Sequence, residues 1–500
     1  MISTELYRSP LEGLLVDRLL EERPAVTRLP VEVLSAEQAA AELQRLQARK
    51  AMDAAYEAEL VMALAGERPD TDDPPPGHPG ARRRGMGSPV PGTSEFLSDE
   101  LALVLNTSRV FAAAVLTDAW LLTERMPAVH AARVAGELDP YRARLFADVL
   151  GPASDEVIAA VVPAVLPEAA RLSAGRLRRR LIAAAVAADE EFAEQRRIEA
   201  QRRAEVRVRP TADGMSVLSS EVPSPIAGAM WSAIDAAAQL ARTAGDDRPI
   251  GVLRAEAHAA MVLRPDGGAE PGFTAHVTVL APLPALCPGS AGAVDAELGP
   301  AVDGSPITAA HLRELLAELN ALGVRAPAGG SLTLAVTGAD GALLATTTPG
   351  ELARLAARGC PAHGGPEARC DCPVLTAPAD VAGYQHSAAQ DRFLEVRDRT
   401  CRQPGCAQPA GRTDADHVLA YDCGGRTGCD NLCCLCRTHH RLKTFARNWR
   451  YELLPDGTLR VTTPSGITRI TRPPGLREPF EQRALPAPPP VDRPDEPPPF

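Results

Sequence analysis

Lysine is almost missing from this 500-residue chain: Lys50 and Lys443 stand against 51 arginines. Beside so much alanine and proline, that skew reflects GC-rich codons rather than function. Aromatic residues make up only 4%, so the core must be built from Ala, Leu and Val, a diet that helical layers accept more readily than sheets. No apolar run approaches the roughly 20 residues that a membrane span needs. The nearest, residues 157–166 (VIAAVVPAVL), is short and interrupted by Pro163. The opening residues, MISTELYRSPLEG, carry neither the basic nor the apolar segment of a secretory signal. These absences predict a cytoplasmic protein with no membrane partner. A formal charge of −11 excludes a globally basic nucleic-acid binder, so any such surface has to be local.

Cysteine is scarce too, except in one region. Of 11 cysteines, only Cys287 lies outside residues 360–436. Such crowding in a reducing compartment points to metal ligation rather than to disulfides.

The pattern along the chain predicts a mainly α fold with α+β parts. Residues 1–66 form an N-terminal helical segment, where Ser35 and Gln38 make a capping box before an uninterrupted helix. Residues 67–92 read as a Pro/Gly linker and 93–265 as a helical domain. Within the latter, VRVR and MSVL flank Asp213-Gly214 as a hairpin. Residues 266–358 form an α+β connecting region, with strands at 276–280 and 331–336, a helix capped by Thr308 and a turn at Asp340-Gly341. Residues 359–384 are a Cys/His-rich loop, 385–472 a compact C-terminal module, and 473–500 a disordered Pro-rich tail. Residues 99–122 have the spacing of a helix-turn-helix, with Ala102 at the contact, Asn106 at the turn and Ser108 at the second N-cap. The second helix brings only Arg109 as a phosphate-binding charge, so two packed helices are the better reading.

The chemistry concentrates between residues 397 and 449. Cys401 and Cys406 flank Pro404-Gly405, a turn that aims both thiolates at one point. Cys436 and His439, three apart at the start of a helix, supply a second pair, and the four together suit a tetrahedral structural Zn²⁺. Between these pairs, Asp414, Asp416 and His417 fall in an alternating stretch that reads as a strand. Asp416 is an oxygen donor suited to Mg²⁺ or Mn²⁺, and His417 can serve as a general base near neutral pH. His440 faces about 100° away from His439 around the helix, so it is free to approach Asp416 instead. A separate cluster, Cys360, His363, Cys370 and Cys372, offers ligands for a second structural zinc. Cys423, Cys429, Cys433 and Cys434 remain, either as small buried apolar groups or as a redox-sensitive set.

Taken in order, Asp416-His417, Gly424-Gly425, Asn431-Leu432 and Cys436-x-x-His439-His440-x-x-Lys443 resemble the HNH endonuclease motif. The resemblance is dense over about fifty residues. It implies a zinc-stapled ββα-metal module acting on DNA, in which His417 is the general base and Asp416 and His440 hold the catalytic divalent ion. It also implies that Asn431 fixes the loop orienting His417, and that Cys401, Cys406, Cys436 and His439 hold the structural zinc. Residues 100–263 resemble, more loosely, the helical domain that precedes HNH modules in many bacterial proteins and whose function is unknown. From residue 391 to 472, fourteen Lys/Arg face nine Asp/Glu. Arg441, Lys443, Arg447 and Arg450 are the expected phosphate contacts. The alternative is a DNA-binding or regulatory protein that does not cut. The small footprint of such a module assigns target choice to the helical region or to a protein partner bound there, and residues 385–475 are expected to fold alone with zinc.

Overall fold

The computed structural model describes residues 29–78, 80–81, 87–211, 215–263, 279–280, 301–302, 305–318, 333–338, 341–358, 363 and 375–474. In chain order the helices begin with α1 (Ala36–Gly66), α2 (Leu97–Val104), α3 (Arg109–Trp120), α4 (Pro127–Val134), α5 (Pro140–Leu150), α6 (Asp155–Ala169), α7 (Ala174–Ala188) and α8 (Glu190–Arg202). A hairpin of β1 (Glu205–Pro210) and β2 (Ser216–Glu221) leads to α9 (Ser224–Thr243) and α10 (Ile250–Leu263). Strands β3 (Val279–Leu280), β4 (Ala301–Val302) and β5 (Ser305–Pro306) precede α11 (Ala309–Glu318). The hairpin β6 (Leu334–Thr337) and β7 (Leu343–Thr347) then runs into α12 (Pro349–Arg358). The fold is thus mainly helical, with small antiparallel sheets. No single described helix is long and apolar enough to cross a membrane. Cys360, Cys370, Cys372 and Cys287, and nearly all of the Pro-rich tail, lie outside the described residues.

Contacts divide the chain into two units, Met1–Glu59 with Leu121–Ala184, and Leu60–Trp120 with Ala185–Phe500. In the first, Ser35 accepts the Gln38 N–H while the Gln38 side chain accepts the Ser35 N–H, so the predicted capping box starts α1. Ala51, Ala55 and Ala58 are buried at helical spacing on its inner face. Helix α6 runs through both Pro163 and Pro167. Each proline removes a backbone donor, at a cost of about 3 kcal/mol in a helix interior. Burial of Val157, Ile158, Val161, Val162 and Val165 along the same helix outweighs that loss.

In the second unit the C-terminal module starts at α13 (Ala388–Asp398), capped by the reciprocal Ser387–Gln390 box. It continues through β8 (Asp414–His417), β9 (Leu432–Leu435) and α14 (Arg437–Phe445), and closes with the meander β10 (Arg450–Leu453), β11 (Leu459–Thr462) and β12 (Thr468–Thr471). Strands β8 and β9 pair antiparallel, placing Asp416 opposite Cys433 and His417 opposite Leu432. Strand β9 is buried on both faces: Leu432 and Cys434 pack with Leu394 and Ala410, while Cys433 and Leu435 pack with Leu459 and Val461. Burial pushes the Cys434 thiol up to about 12 and the Cys433 thiol higher still, so both act as small apolar groups.

Helices α2 and α3 do form a bent pair. Asn106 adopts φ +53°, the Thr107 N–H donates to the Ala102 carbonyl (2.9 Å), and Ser108 caps α3 through the Phe111 N–H. Helix α2 is nearly all buried, however, and Leu103 belongs to the same core cluster as Cys401, Cys433 and Leu459. Arg109 is tied to Asp99 (3.0 Å). The pair is therefore part of the packing around the C-terminal module, in keeping with two packed helices rather than a reading head.

Candidate metal centre

The loop of residues 401–406 carries the first two thiols. Gly405 sits at φ +78°, and a Cβ there would lie 2.6 Å from the Thr107 carbonyl oxygen, so both the turn and the approach of the α2–α3 corner require glycine. The start of α14 carries the second pair. The donor atoms of Cys401, Cys406, Cys436 and His439 all lie within 4.8 Å of one another. His439 Nδ1 is 3.1 Å from Cys436 Sγ and 3.4 Å from Cys401 Sγ. Zinc bonds of about 2.0–2.3 Å in a tetrahedron put neighbouring donors about 3.5–3.8 Å apart, the same scale. Hydrogen bonds from Cys401 and Cys406 hold the Cys436 thiol far below its usual range, and the same sharing drives Cys401 up. These four residues can hold a metal ion such as zinc. Metal analysis should find about one tightly bound zinc per chain, lost in Cys436→Ser and kept in His440→Ala; loss in His440→Ala would mean that the two sites are one.

The sequence reading missed the partner on the far side of the imidazole. Asp99 Oδ1, a buried carboxylate oxygen with no hydrogen-bond partner elsewhere, lies 3.2 Å from His439 Nε2. A carboxylate there fixes the ring and its tautomer, leaving Nδ1 as the ligand atom. Burial alone would lower the His439 pKa, but Asp99 and the thiols carry it up to about 11. Asp99 comes from α2, and nothing in its local sequence marks it.

Next to this centre, β8 and α14 bring together the other chemistry-bearing residues. His417 is buried, and its Nε2 is 2.9 Å from Thr427 Oγ1. That hydroxyl donates its proton to the Gly383 carbonyl (2.6 Å), so Nε2 must be the donor and Nδ1 keeps the lone pair. Desolvation lowers the His417 pKa, with Lys443 and His386 adding to it against the pull of Asp416. Tyr384 stacks on the ring at 5.2 Å and Tyr421 meets it edge-on at 5.8 Å. Tyr384 and Thr427 were not foreseen either.

Asp416 Oδ1 is 3.5 Å from His440 Nε2, and its Oδ2 is 3.1 Å from Lys443 Nζ. The other ring nitrogen of His440, Nδ1, is 2.8 Å from Asp414 Oδ2. Asp414 lies on the same strand face as Asp416, two residues away, which is the signal that places it here. Asn431 accepts the Leu419 N–H (2.9 Å) and donates to the carbonyls of Leu419 (3.0 Å) and Arg426 (2.9 Å). It thereby closes the loop that follows His417. A Cβ on Gly425 would fall 1.9 Å from the Leu419 carbonyl oxygen, so Gly425→Ala should open this loop. The check is faster hydrogen exchange at residues 418–426.

The expected phosphate contacts need revision. Arg441 is held by both Glu95 oxygens (2.9 Å each) and the Gly80 carbonyl, and Arg447 pairs with Asp72. Lys443 is committed to Asp416. Of these four, Arg450 alone is exposed without a partner among the described residues. Asp72, on the segment read as linker, and Glu95, just beyond it, thus neutralise the two arginines. Arg397 and Arg402, counted in the local basic excess, are buried against Asp398.

No family model and no solved structure matches the chain. It is 51% identical over 82 residues to Uncharacterized protein Rv3776 of Mycobacterium tuberculosis, a match covering 16% of each chain. It is 46% identical over 91 residues to Uncharacterized protein Rv2100 of the same species, covering 18% of this chain and 16% of the relative. The alignments thus span about a sixth of the length of these curated relatives.

Proposed function

We propose that the protein is a metal-dependent endonuclease of the HNH type, hydrolysing phosphodiester bonds in DNA. One observation carries this reading: His417 is held in the tautomer that leaves Nδ1 free as a base, and its neighbour Asp416 stands 3.5 Å from the His440 imidazole. His440 stands between two carboxylates, with Nδ1 2.8 Å from Asp414 Oδ2 and Nε2 3.5 Å from Asp416 Oδ1. A ring that donates from Nδ1 to Asp414 offers Nε2 and Asp416 Oδ1 together to a divalent ion, and oxygen and imidazole donors suit Mg²⁺ or Mn²⁺.

A divalent ion bound there would supply Lewis-acid stabilisation of the phosphate and the leaving oxygen. The chain supplies the rest. His417 Nδ1 takes the proton of the attacking water, and Thr427 accepts the Nε2–H bond that strengthens as the ring becomes cationic. Tyr384 and Tyr421 wall the ring from bulk solvent. Asn431 keeps the loop, and so the ring, in register. The zinc centre anchors α14 and with it His440.

Lys443 favours the second reading, a DNA-binding protein that does not cut, because its ammonium pairs with the other Asp416 oxygen, Oδ2 (3.1 Å), and neutralises the carboxylate charge that a metal would draw on. Supercoiled plasmid with Mg²⁺ or Mn²⁺ separates the two. The wild type should nick it, and His417→Ala should lose about 10²–10⁴-fold in rate while still binding DNA. Equal nicking by both proteins, or none by either, removes the catalytic reading.

A further inference from the structure

We propose that a cavity of about 290 Å³ between α12 and α13, where Arg354, Arg358 and Arg392 converge, binds phosphate groups of the nucleic-acid backbone beside the cut. The assignment of the phosphates to nucleic acid rests on the proposed nuclease function; the anion site itself does not.

Thr333 and Thr346 add hydroxyl-bearing walls to the three guanidiniums. Among the described residues, none of these arginines makes a hydrogen bond or ion pair. That sets them apart from Arg397, Arg402, Arg426, Arg441 and Arg447, each of which has a carboxylate. Three like charges around one hollow repel one another, and an anion relieves that repulsion while using the planar donor forks of arginine. The one carboxylate in the lining, Glu351, accepts the Thr348 N–H (2.8 Å) and hydroxyl (3.1 Å) at the helix start and feels Arg354 and Arg392 only through space, which offsets one of the three charges. The cavity therefore keeps a net charge of about +2, which matches two backbone phosphates or one phosphate dianion. Its volume admits a phosphate with its sugar, not a folded partner.

The cavity also adjoins the reacting site through one helix. Ala389 and Arg392 of α13 line it, and Gln390 between them donates to the Thr427 carbonyl (2.8 Å). Thr427 is the residue that fixes the His417 tautomer. A strand lying across His417 is thus within reach of α13, and contacts of this kind set position without reading sequence.

The test uses the full chain with His417→Ala throughout, so that DNA is bound and not consumed. A labelled duplex is titrated at several salt concentrations against the same protein carrying R354Q, R358Q and R392Q. Because all three arginines are solvent-facing, zinc content and melting temperature should not change. The expected result is affinity about tenfold weaker and a log Kd against log salt slope shallower by about 1–3. Inorganic phosphate and a nucleoside monophosphate are assayed in parallel by thermal shift. If the duplex binds but the triple variant matches its parent in affinity and slope, the site is wrong and the nuclease reading survives. If no duplex binds, yet the monophosphate stabilises the parent and not the triple variant, the anion site stands with a free phosphate ligand and the nuclease reading falls. No response to either probe overturns the site.

Discussion

Asp398→Ala should cost about 3–5 kcal/mol in the C-terminal module, more than any surface substitution in it, because it strips the counter-charge from two buried guanidiniums. Asp398 is fully buried, with Oδ1 accepting from Arg397 Nε (2.8 Å) and Arg402 Nη1 (2.9 Å) and Oδ2 accepting the Cys434 N–H (2.8 Å). Arg397 donates onward to the carbonyls of Cys429 and Leu432, and Arg402 to those of Gly457 and Thr471. One carboxylate thus joins α13, β9 and the end of the meander. Burial would raise its pKa, yet the two guanidiniums win and hold it below the usual carboxylate range. A folded pKa below the unfolded value means that this stability is present above about pH 4 and is lost as pH falls through the depressed value. The urea midpoint for zinc release should drop sharply in the variant, with Asp398→Asn behaving similarly because it restores shape and not charge. An unchanged midpoint in both would show that the triad is not what joins these elements.

What the sequence revealed follows a physical division. The four clustered candidate metal ligands were legible because each pair lies within a few residues and one turn of chain sets its geometry. The order of strand, strand and helix, with Asp416 and His440 facing each other, was legible because their spacing spans a single hairpin. Asp99, Tyr384 and Thr427 were not, since each reaches the site from a segment whose local pattern serves its own helix or loop. Arg441 misled for the opposite reason. A run of cations after His440 resembles a phosphate-binding face, and only the fold brings Glu95 onto it.

Residues 385–475, taken alone, should fail to fold, contrary to what the motif by itself leads one to expect. The excised piece loses Leu103 from the core cluster around Cys401, Cys433, Leu435, Leu459 and Val461. It loses Asp99 from His439, Glu95 from Arg441, the Glu100 oxygen that accepts the Ser465 N–H, and the Leu103 carbonyl that accepts from Arg469. It also loses residues 378–383, whose carbonyls hold Gln390 and Thr427 and so, through Thr427, the tautomer of His417. A module of this size has little core to spare. In the full chain, Leu103→Ala should destabilise the module by about 2–5 kcal/mol, the range for deleting a buried leucine. Asp99→Asn should leave the fold in place but weaken zinc about 10–100-fold, measured by competition with a chromophoric chelator. The two variants separate packing from metal: the first lowers the denaturation midpoint even with zinc in excess, whereas added zinc rescues the second. Tight zinc binding by the excised segment, with plasmid nicking at the full-chain rate, would show that α2 merely rests on a module complete without it.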